Sequence, residues 1–236
     1  MILKVQGNHM SSLESHYPLS DFIEYPAEEM SARAEQNYQQ LKRRHSIRQF
    51  SHRPVAKEVI ENCIRAAGTA PSGANHQPWH FVAIHNSQVK GQIRQAAEEL
   101  EQSFYQGRAG QEWLEALKPL GTDADKPYLE KAPWLIAVFA KKKGGLNNDG
   151  EQTNYYVHES VGIATGFLLQ ALHNAGLATL THTPKPMSFL TGICGRDSDV
   201  ERPYMLIVTG YPDTGATIPA HALNKKTLDD IATFIE

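Results

Sequence analysis

The 236-residue chain contains only two cysteines, Cys63 and Cys194, and no group of residues with the spacing of zinc ligands. Its eleven histidines are scattered along the sequence, so we predict no bound metal. Cys63 falls in an apolar helical pattern with Val59, Ile60 and Ile64. This position favours a buried, unreactive thiol.

The sequence also lacks a strong charge bias and a long apolar run. Its formal net charge is −3, so no basic excess points to a nucleic-acid partner. The strongest apolar run, residues 133–140, is too short to span a membrane and is typical of a buried strand. No charged segment followed by an apolar stretch opens the chain, so we expect no signal peptide, no membrane partner and a cytoplasmic protein.

Neither Gly-x-Gly-x-x-Gly nor a Walker loop is present, which argues against a Rossmann dinucleotide site. With 41% hydrophobic residues, the chain can bury a core of its own. We predict one domain over residues 25–236, after an N-terminal extension over 1–24 in which residues 1–10 resemble a cloning remnant.

The apolar periodicity predicts an α+β layered fold. Helices are predicted over 26–41, 57–67, 87–105, 154–175 and 228–235, and strands over 79–84, 133–141, 178–183 and 204–211. Gly176 is placed to end the fourth helix in a left-handed C-cap. Residues 114–128 are expected to be irregular.

The most informative segment is a loop of small residues, Pro71, Ser72, Gly73 and Ala74, just before the first predicted strand. Small residues let backbone N–H groups approach a ligand that is rich in oxygen and ring nitrogen. Pro-Ser-Gly is also ordinary turn chemistry, so the loop alone leaves both interpretations open.

A second segment, residues 42–50, places Arg44, Ser46 and Arg48 around the end of the first predicted helix. Basic side chains there can simply complement the negative end of the helix dipole. Alternatively, guanidinium groups and a hydroxyl beside a break in the chain can bind a phosphate. The spacing by itself favours neither interpretation.

Together these segments resemble the nitroreductase-like flavoproteins, and within them the iodotyrosine deiodinase branch. The resemblance covers roughly residues 25–236 and includes motifs at 67–74, 155–156, 174–177, 181–184 and 210–212. It implies the nitroreductase-like α+β fold, with a central mixed β-sheet flanked by helices. It further implies a homodimer with an FMN site at each side of the subunit interface.

The resemblance also assigns residues to the FMN. It implies that the phosphate contacts Arg44, His45, Ser46, Arg48 and Lys225, with Lys226 as an equal alternative to Lys225, and that the ring contacts Pro71, Ser72, Gly73, Thr181, His182 and Thr183. Thr183 matches the catalytic residue whose hydroxyl bonds flavin N5. The chain departs from the family pattern in three places: His45 replaces an arginine, His182 replaces a hydroxyl residue, and the residues at 75–77 are reshuffled.

For the substrate, the resemblance implies an active-site lid over about 100–129 that carries Glu101, Tyr105 and Lys126. Glu101 would bind an ammonium and Lys126 a carboxylate, while Tyr105 adds a hydroxyl and an aromatic wall. The Ala74 N–H would donate to a phenolate oxygen. By composition alone, a Glu on a polar helix and a Lys in a loop are more often merely solvated.

These assignments predict FMN-dependent reductive dehalogenation of iodo-, bromo- or chlorotyrosine to tyrosine and halide. One alternative is an NAD(P)H-dependent nitro- or quinone reductase of the same fold, in which the lid residues have no substrate role. Another is a flavin-loaded protein that binds aromatic amino acids without turnover.

Overall fold

The computed structural model describes residues 16–103, 105, 110, 112, 115, 117–147 and 151–236. The chain divides into two compact units, residues 1–39 and 40–236. Most of helix α1 (Ala27–Lys42) belongs to the first unit, and none of its residues is buried. Residues 1–10 and several positions of the predicted lid, including Trp113, lie outside the described residues. The predicted domain limits stay a prediction.

The second unit holds the β-sheet and the remaining helices. Its helices are α2 (Lys57–Gly68), α3 (Ser87–Ser103), α4 (Tyr128–Lys131), α5 (Val157–Asn174), α6 (Phe189–Ile193) and α7 (Leu228–Ile231). Its strands are β1 (Trp79–Ile84), β2 (Trp134–Lys141), β3 (Ala178–His182) and β4 (Glu201–Gly210). Short 3₁₀ turns cover Gly73–Asn75, Lys118–Leu120 and Ala220–Leu223.

The four strands form one sheet in the order β1-β2-β4-β3, and each neighbouring pair is antiparallel. A parallel bridge between Ser46 and Thr179 adds a parallel pairing at the β3 edge. Strand β2 is buried on both faces because its side chains alternate between two apolar clusters. Helices α2 and α5 pack on one face, and α3, α4 and α6 pack on the other.

The boundaries differ from the prediction where local chemistry intervenes. Helix α5 begins at Val157 rather than at residue 154, because Tyr156 adopts a left-handed φ of 47° that no helix interior contains. Strand β4 begins three residues earlier than predicted and includes Pro203, which lies beside a β-bulge in the pairing with β2. The C-cap prediction is confirmed, since Gly176 has a φ of 81°.

Cys63 is buried, as the sequence indicated, and burial raises the pKa of its thiol. In the part of the chain that the structure describes, no helix combines the length and the apolar character needed to cross a membrane. The same residues contain no group of three or more potential metal ligands.

Candidate active site

A cavity of about 400 Å³ lies between the C-terminal end of α3, the segment before α4 and the end of β3. We call it the α3 cavity. Seven of the residues that sequence analysis selected line it together: Arg48, Glu101, Tyr105, Lys126, Thr181, His182 and Thr183. Leu100, Leu117 and Leu180 add apolar wall, so the cavity has both a charged and an apolar part.

Lys126 is the central charge of this cavity and is only 2% exposed. Its Nζ lies 3.4 Å from Glu101 Oε2 and donates to Thr122 Oγ1 at 3.2 Å. It also donates to the main-chain oxygen of Asp123. A buried ammonium is stable only when it is paired and hydrogen-bonded, and these contacts meet that requirement.

Tyr105 completes this end of the cavity. Its hydroxyl donates to the Thr122 carbonyl oxygen at 3.2 Å, and its ring centroid lies 5.8 Å from the Lys126 ammonium. Burial, with a smaller contribution from Glu101, raises the pKa of Tyr105. The hydroxyl therefore stays protonated and available as a donor at neutral pH.

Beneath these groups lies a buried pair, Tyr128 and His182. The Tyr128 hydroxyl is 3.4 Å from His182 Nδ1, and the two rings meet edge to face. Burial, together with the positive charges of Lys126 and Arg48, lowers the pKa of His182 to about 3. Burial also raises the pKa of Tyr128. Both groups are neutral, and His182 Nε2 is buried with no hydrogen-bond partner among the described residues.

The predicted phosphate residues divide between two neighbouring cavities. Arg44 and His45 line one of about 490 Å³, and Ser46 and Arg48 line another of about 280 Å³. Arg48 also lines the α3 cavity, so it connects the phosphate residues with the lid residues. Neither Arg44 nor Arg48 forms an ion pair with any described residue.

The loop at residues 71–77 is fixed against the N-terminal end of α5. The Gly73 N–H donates to Ser160 Oγ at 3.3 Å, and the Ser160 hydroxyl donates to the Tyr156 carbonyl oxygen at 2.6 Å. A Cβ on Gly73 would lie 2.7 Å from the Tyr155 carbonyl oxygen. The close approach therefore requires glycine at this position.

The backbone of this loop is held in an uncommon conformation. Ala74, Asn75 and Gln77 all have left-handed φ values, of 49°, 55° and 49°. Ser72 Oγ stabilises the turn by accepting the Gln77 N–H at 2.9 Å. The Ala74 N–H has no partner among the described residues and is free to donate. Left-handed non-glycine residues concentrate at functional sites, and three in four positions is such a concentration.

The structure does not bring this loop into the α3 cavity. The loop precedes β1 at one edge of the sheet, whereas Thr181 and His182 end β3 at the opposite edge and Thr183 follows it. Three strand spacings, or about 14 Å, separate these edges. Lys225 is exposed and lines none of the three cavities. Within one chain, the predicted residues thus form separate groups.

Sequence reasoning missed several residues that support the site. Asn154 holds the loop from below: its Oδ1 accepts from Gly145 N at 3.0 Å and lies 3.1 Å from His76 Nδ1, and its Nδ2 donates to the Lys141 carbonyl oxygen at 2.9 Å. Ser160 was missed although it is a buried polar position in the most apolar helix. That mismatch was a usable signal, because buried polar groups need partners.

Comparison with known proteins gives a consistent picture. The Nitroreductase family model matches residues 41–211. An iodotyrosine deiodinase of Haliscomenobacter hydrossis is 51% identical over 83% of this chain and 88% of its own length. The human iodotyrosine deiodinase 1 is 43% identical over 93% of this chain and 75% of its own length.

Solved structures agree with these relatives. A crystal structure of oxidized iodotyrosine deiodinase bound to FMN and 3-iodo-L-tyrosine is 30% identical, with a TM-score of 0.70 over 84% of this chain and all of that chain. A BluB-like flavoprotein from Clostridium difficile, 22% identical, has a TM-score of 0.63 over 84% of this chain and 98% of its own. The second likeness extends to the fold alone.

Proposed function

This chain belongs to the nitroreductase family, and from that membership we propose that it is an FMN-dependent oxidoreductase that removes halogen from halotyrosines. Iodotyrosine is the substrate named for its relatives. The reaction replaces an aryl carbon–halogen bond with a carbon–hydrogen bond, consumes two electrons and one proton, and releases tyrosine and halide. Bromo- and chlorotyrosine carry the same amino-acid and phenol groups and belong to the same substrate class.

The donor set of the site fits FMN. Arg44 and Arg48, which form no ion pair with any described residue, and the Ser46 hydroxyl are suited to a phosphate dianion. His182 Nε2, which has no hydrogen-bond partner among the described residues, suits a ring edge that is rich in oxygen and nitrogen. When bound in its reduced form, FMN supplies the two electrons of the reaction.

We assign the remaining contacts by residue. The phosphate is held by Arg44, His45, Ser46, Arg48 and either Lys225 or Lys226, and the ring by Pro71, Ser72, Gly73, Thr181, His182 and Thr183. The Thr183 hydroxyl is the group that donates to flavin N5. Support for this last role comes from its position on the α3 cavity wall, next to the charges that hold the substrate.

The complete site is proposed to form in a homodimer. The loop at 71–77 and the C-terminal end of β3 lie at opposite edges of one sheet, so a second copy can supply the loop that faces the first copy's cavity. Helix α5 exposes Ile163 and Phe167, 42% and 40% accessible, one turn apart on one face. Exposed apolar side chains paired in this way are typical of an interface.

The observation that carries the proposal is the Glu101–Lys126 pair. The two side chains are 3.4 Å apart at the edge of a cavity that has an apolar wall. An amino-acid zwitterion presents an ammonium and a carboxylate at a similar separation. Each protein charge can therefore exchange its partner for one on the ligand, and no buried charge is left uncompensated.

Two further groups act on the substrate, one at its phenol and one at its amino-acid head group. The Ala74 N–H, fixed by the left-handed turn, donates to the phenolate oxygen and stabilises the anion. Tyr105 adds a protonated hydroxyl and an aromatic face beside the head group. Closure of these groups over the ligand excludes water, and this strengthens the charged contacts.

A substrate panel tests the proposal against its rivals. We expect efficient reductive dehalogenation of iodotyrosine and a far lower efficiency with 2-iodophenol, which lacks the zwitterion. Equal efficiency on both compounds, or turnover of nitroaromatics alone, would instead favour a nitro- or quinone reductase. Tight binding of iodotyrosine with no release of halide would identify a flavin-loaded binding protein.

A further inference from the structure

An ion-pair network lies along α3, next to the residues that line the α3 cavity but not among them. Its centre is Arg94, whose side chain is 27% exposed. The guanidinium contacts three carboxylates: Glu98 at 2.7 Å, Asp125 at 2.7 Å and Glu130 at 2.9 Å. These partners lie on α3 itself, on the segment before α4 and on α4. The network therefore joins α3 to residues 125–130, which come about thirty residues later in the sequence.

One oxygen in this network contacts the Glu101–Lys126 pair, which we call the substrate clamp. Glu98 Oε1, which pairs with Arg94, also accepts the backbone N–H of Lys126 at 2.7 Å. Glu98 and Glu101 are three residues apart on α3, so they lie on neighbouring positions of one helix face. Through Glu98, the helix that presents the clamp carboxylate also holds the backbone of the clamp ammonium.

A second contact fixes α4 independently. Lys90, a buried residue of α3, donates from Nζ to the carbonyl oxygens of Glu130 and Ala132, at 2.9 and 2.7 Å. Helix α4 therefore stays docked on α3 even without Glu98. Among the contacts described here, the bond to Glu98 is the one that ties the Lys126 main chain directly to α3.

We propose that Arg94 and Glu98 are positioning residues that set the separation of Glu101 and Lys126. This inference rests on the proposed function, because it assumes that this pair binds the substrate head group. Arg94 orients the Glu98 carboxylate, and Glu98 fixes the backbone from which Lys126 extends. Charged recognition groups need to be held to within about half an ångström, which an unsupported polar segment does not provide.

The test compares Glu98→Ala with Glu61→Ala in the FMN-loaded protein. Glu61 is a matched control, because it also pairs with a cation four residues earlier, Lys57 on α2, but has no contact with the clamp. Losing a hydrogen bond to a charged group should weaken iodotyrosine binding about tenfold in Glu98→Ala. We expect 2-iodophenol binding to remain within about twofold, and Glu61→Ala to change neither affinity.

Two further measurements separate positioning from a general loss of stability. Hydrogen exchange at the Lys126 amide should accelerate in Glu98→Ala and not in Glu61→Ala, because only the first change removes the acceptor of that amide. Glu98→Gln retains an oxygen acceptor, while Asp125 and Glu130 still neutralise Arg94. Glu98→Gln should therefore recover most of the iodotyrosine affinity. If Glu98→Ala does not fold, the binding and exchange measurements are made on Glu98→Gln instead.

The outcomes distinguish this inference from the function on which it rests. If Glu101→Gln weakens iodotyrosine binding but neither Glu98 variant does, the positioning role is wrong and the clamp stands. Parallel loss of iodotyrosine and 2-iodophenol binding in Glu98→Ala would also overturn it. If Glu101→Gln leaves iodotyrosine binding unchanged, the clamp assignment fails, and this inference fails with it.

Discussion

The α3 cavity and the loop at residues 71–77 offer a ligand different parts of the chain. In the cavity the polar groups are side chains, and they already contact each other: Lys126 is 3.4 Å from Glu101 and is nearly fully buried. In the loop the available group is a backbone N–H, that of Ala74, which has no partner among the described residues. The strained backbone of the loop is held in place by the hydrogen bond from the Gly73 N–H to Ser160 Oγ and by the close approach of Gly73 to Tyr155.

This difference separates two tasks within one proposed site. A charged head group requires side chains of both signs, and their mutual pairing keeps the cavity stable before a ligand arrives. A phenolate oxygen and a flavin ring require donors at fixed positions, which a rigid backbone turn provides better than long side chains. The cavity should therefore control which substrate binds, and the loop should control the cofactor and the phenol.

The largest effect is expected from breaking the surface that would join the two regions. Phe167→Asp places a carboxylate in the exposed apolar face of α5. Because an unpaired charge in an apolar interface costs several kcal/mol, about 3–5, the dimer and its FMN should be lost together. Light scattering should show about twice the 26.3 kDa chain mass for the parent and a monomer for the variant. Gln88→Asp, which adds the same charge at an exposed position of α3, is the control.

Next in size is the loss of the cavity's buried cation. Lys126→Ala removes the partner of Glu101 and of the substrate carboxylate, a change that typically costs about 2–5 kcal/mol. The kcat/KM for iodotyrosine should fall at least tenfold, as it should for Glu101→Gln, while FMN content stays unchanged. Reduction of a nitroaromatic by both variants should change far less. Two variants that dehalogenate as well as the parent would rule out the clamp.

A smaller effect on the cofactor should follow from a methyl group in the loop. Gly73→Ala places a Cβ 2.7 Å from the Tyr155 carbonyl oxygen, and overpacking of this kind costs about 1–3 kcal/mol. FMN affinity, measured by titration of the apoprotein, should fall by about tenfold while the preference for iodotyrosine over 2-iodophenol persists. Gly68→Ala is the matched control, because a Cβ at residue 68 would meet no atom within 4 Å. Equal FMN affinity in both variants would contradict the proposal that the loop at residues 71–77 contacts FMN.

The last effect concerns how the stability of the protein depends on pH, through the buried His182 side chain. Burial lowers the pKa of His182 to about 3, whereas an unfolded histidine titrates near 6.5. The unfolded chain binds the proton first, so this contribution to stability is complete above about pH 6.5 and declines as the pH falls toward 3. Between pH 7.5 and 5.0 the loss is about 2 kcal/mol. Urea unfolding should show this difference in the parent and not in His182→Gln.

A matched variant checks that result. His52→Gln removes a histidine whose side chain is exposed. It should retain the parent's decline in stability between the two pH values. An equal decline in the parent and in His182→Gln would mean that His182 is not the group that titrates.

The sequence predicts a structural feature well when a local pattern determines that feature, and poorly when long-range contacts determine it. Strand β1 has the predicted limits because Pro78 and an apolar run define it locally. The predicted start of β4 was wrong because a proline such as Pro203 is tolerated in the strand only beside a bulge, and the bulge depends on the pairing with β2. The Tyr128–His182 contact joins residues 54 apart, and no spacing rule predicts it.

The site follows the same rule. Glu101, Tyr105 and Lys126 could be selected because the family resemblance aligns them, and the structure brings all three to one cavity. The support from Arg94 and Glu98 could not be selected, since it depends on how α3 packs against a segment about thirty residues later. The roles of these residues in binding and catalysis stay predictions.

The most direct measurement is a single turnover of the reduced, FMN-loaded protein with one equivalent of iodotyrosine in the absence of oxygen. We predict that the flavin is reoxidised, and that one tyrosine and one iodide appear for each flavin oxidised. A flavin that stays reduced with iodotyrosine, yet is reoxidised promptly by a nitroaromatic, would contradict it.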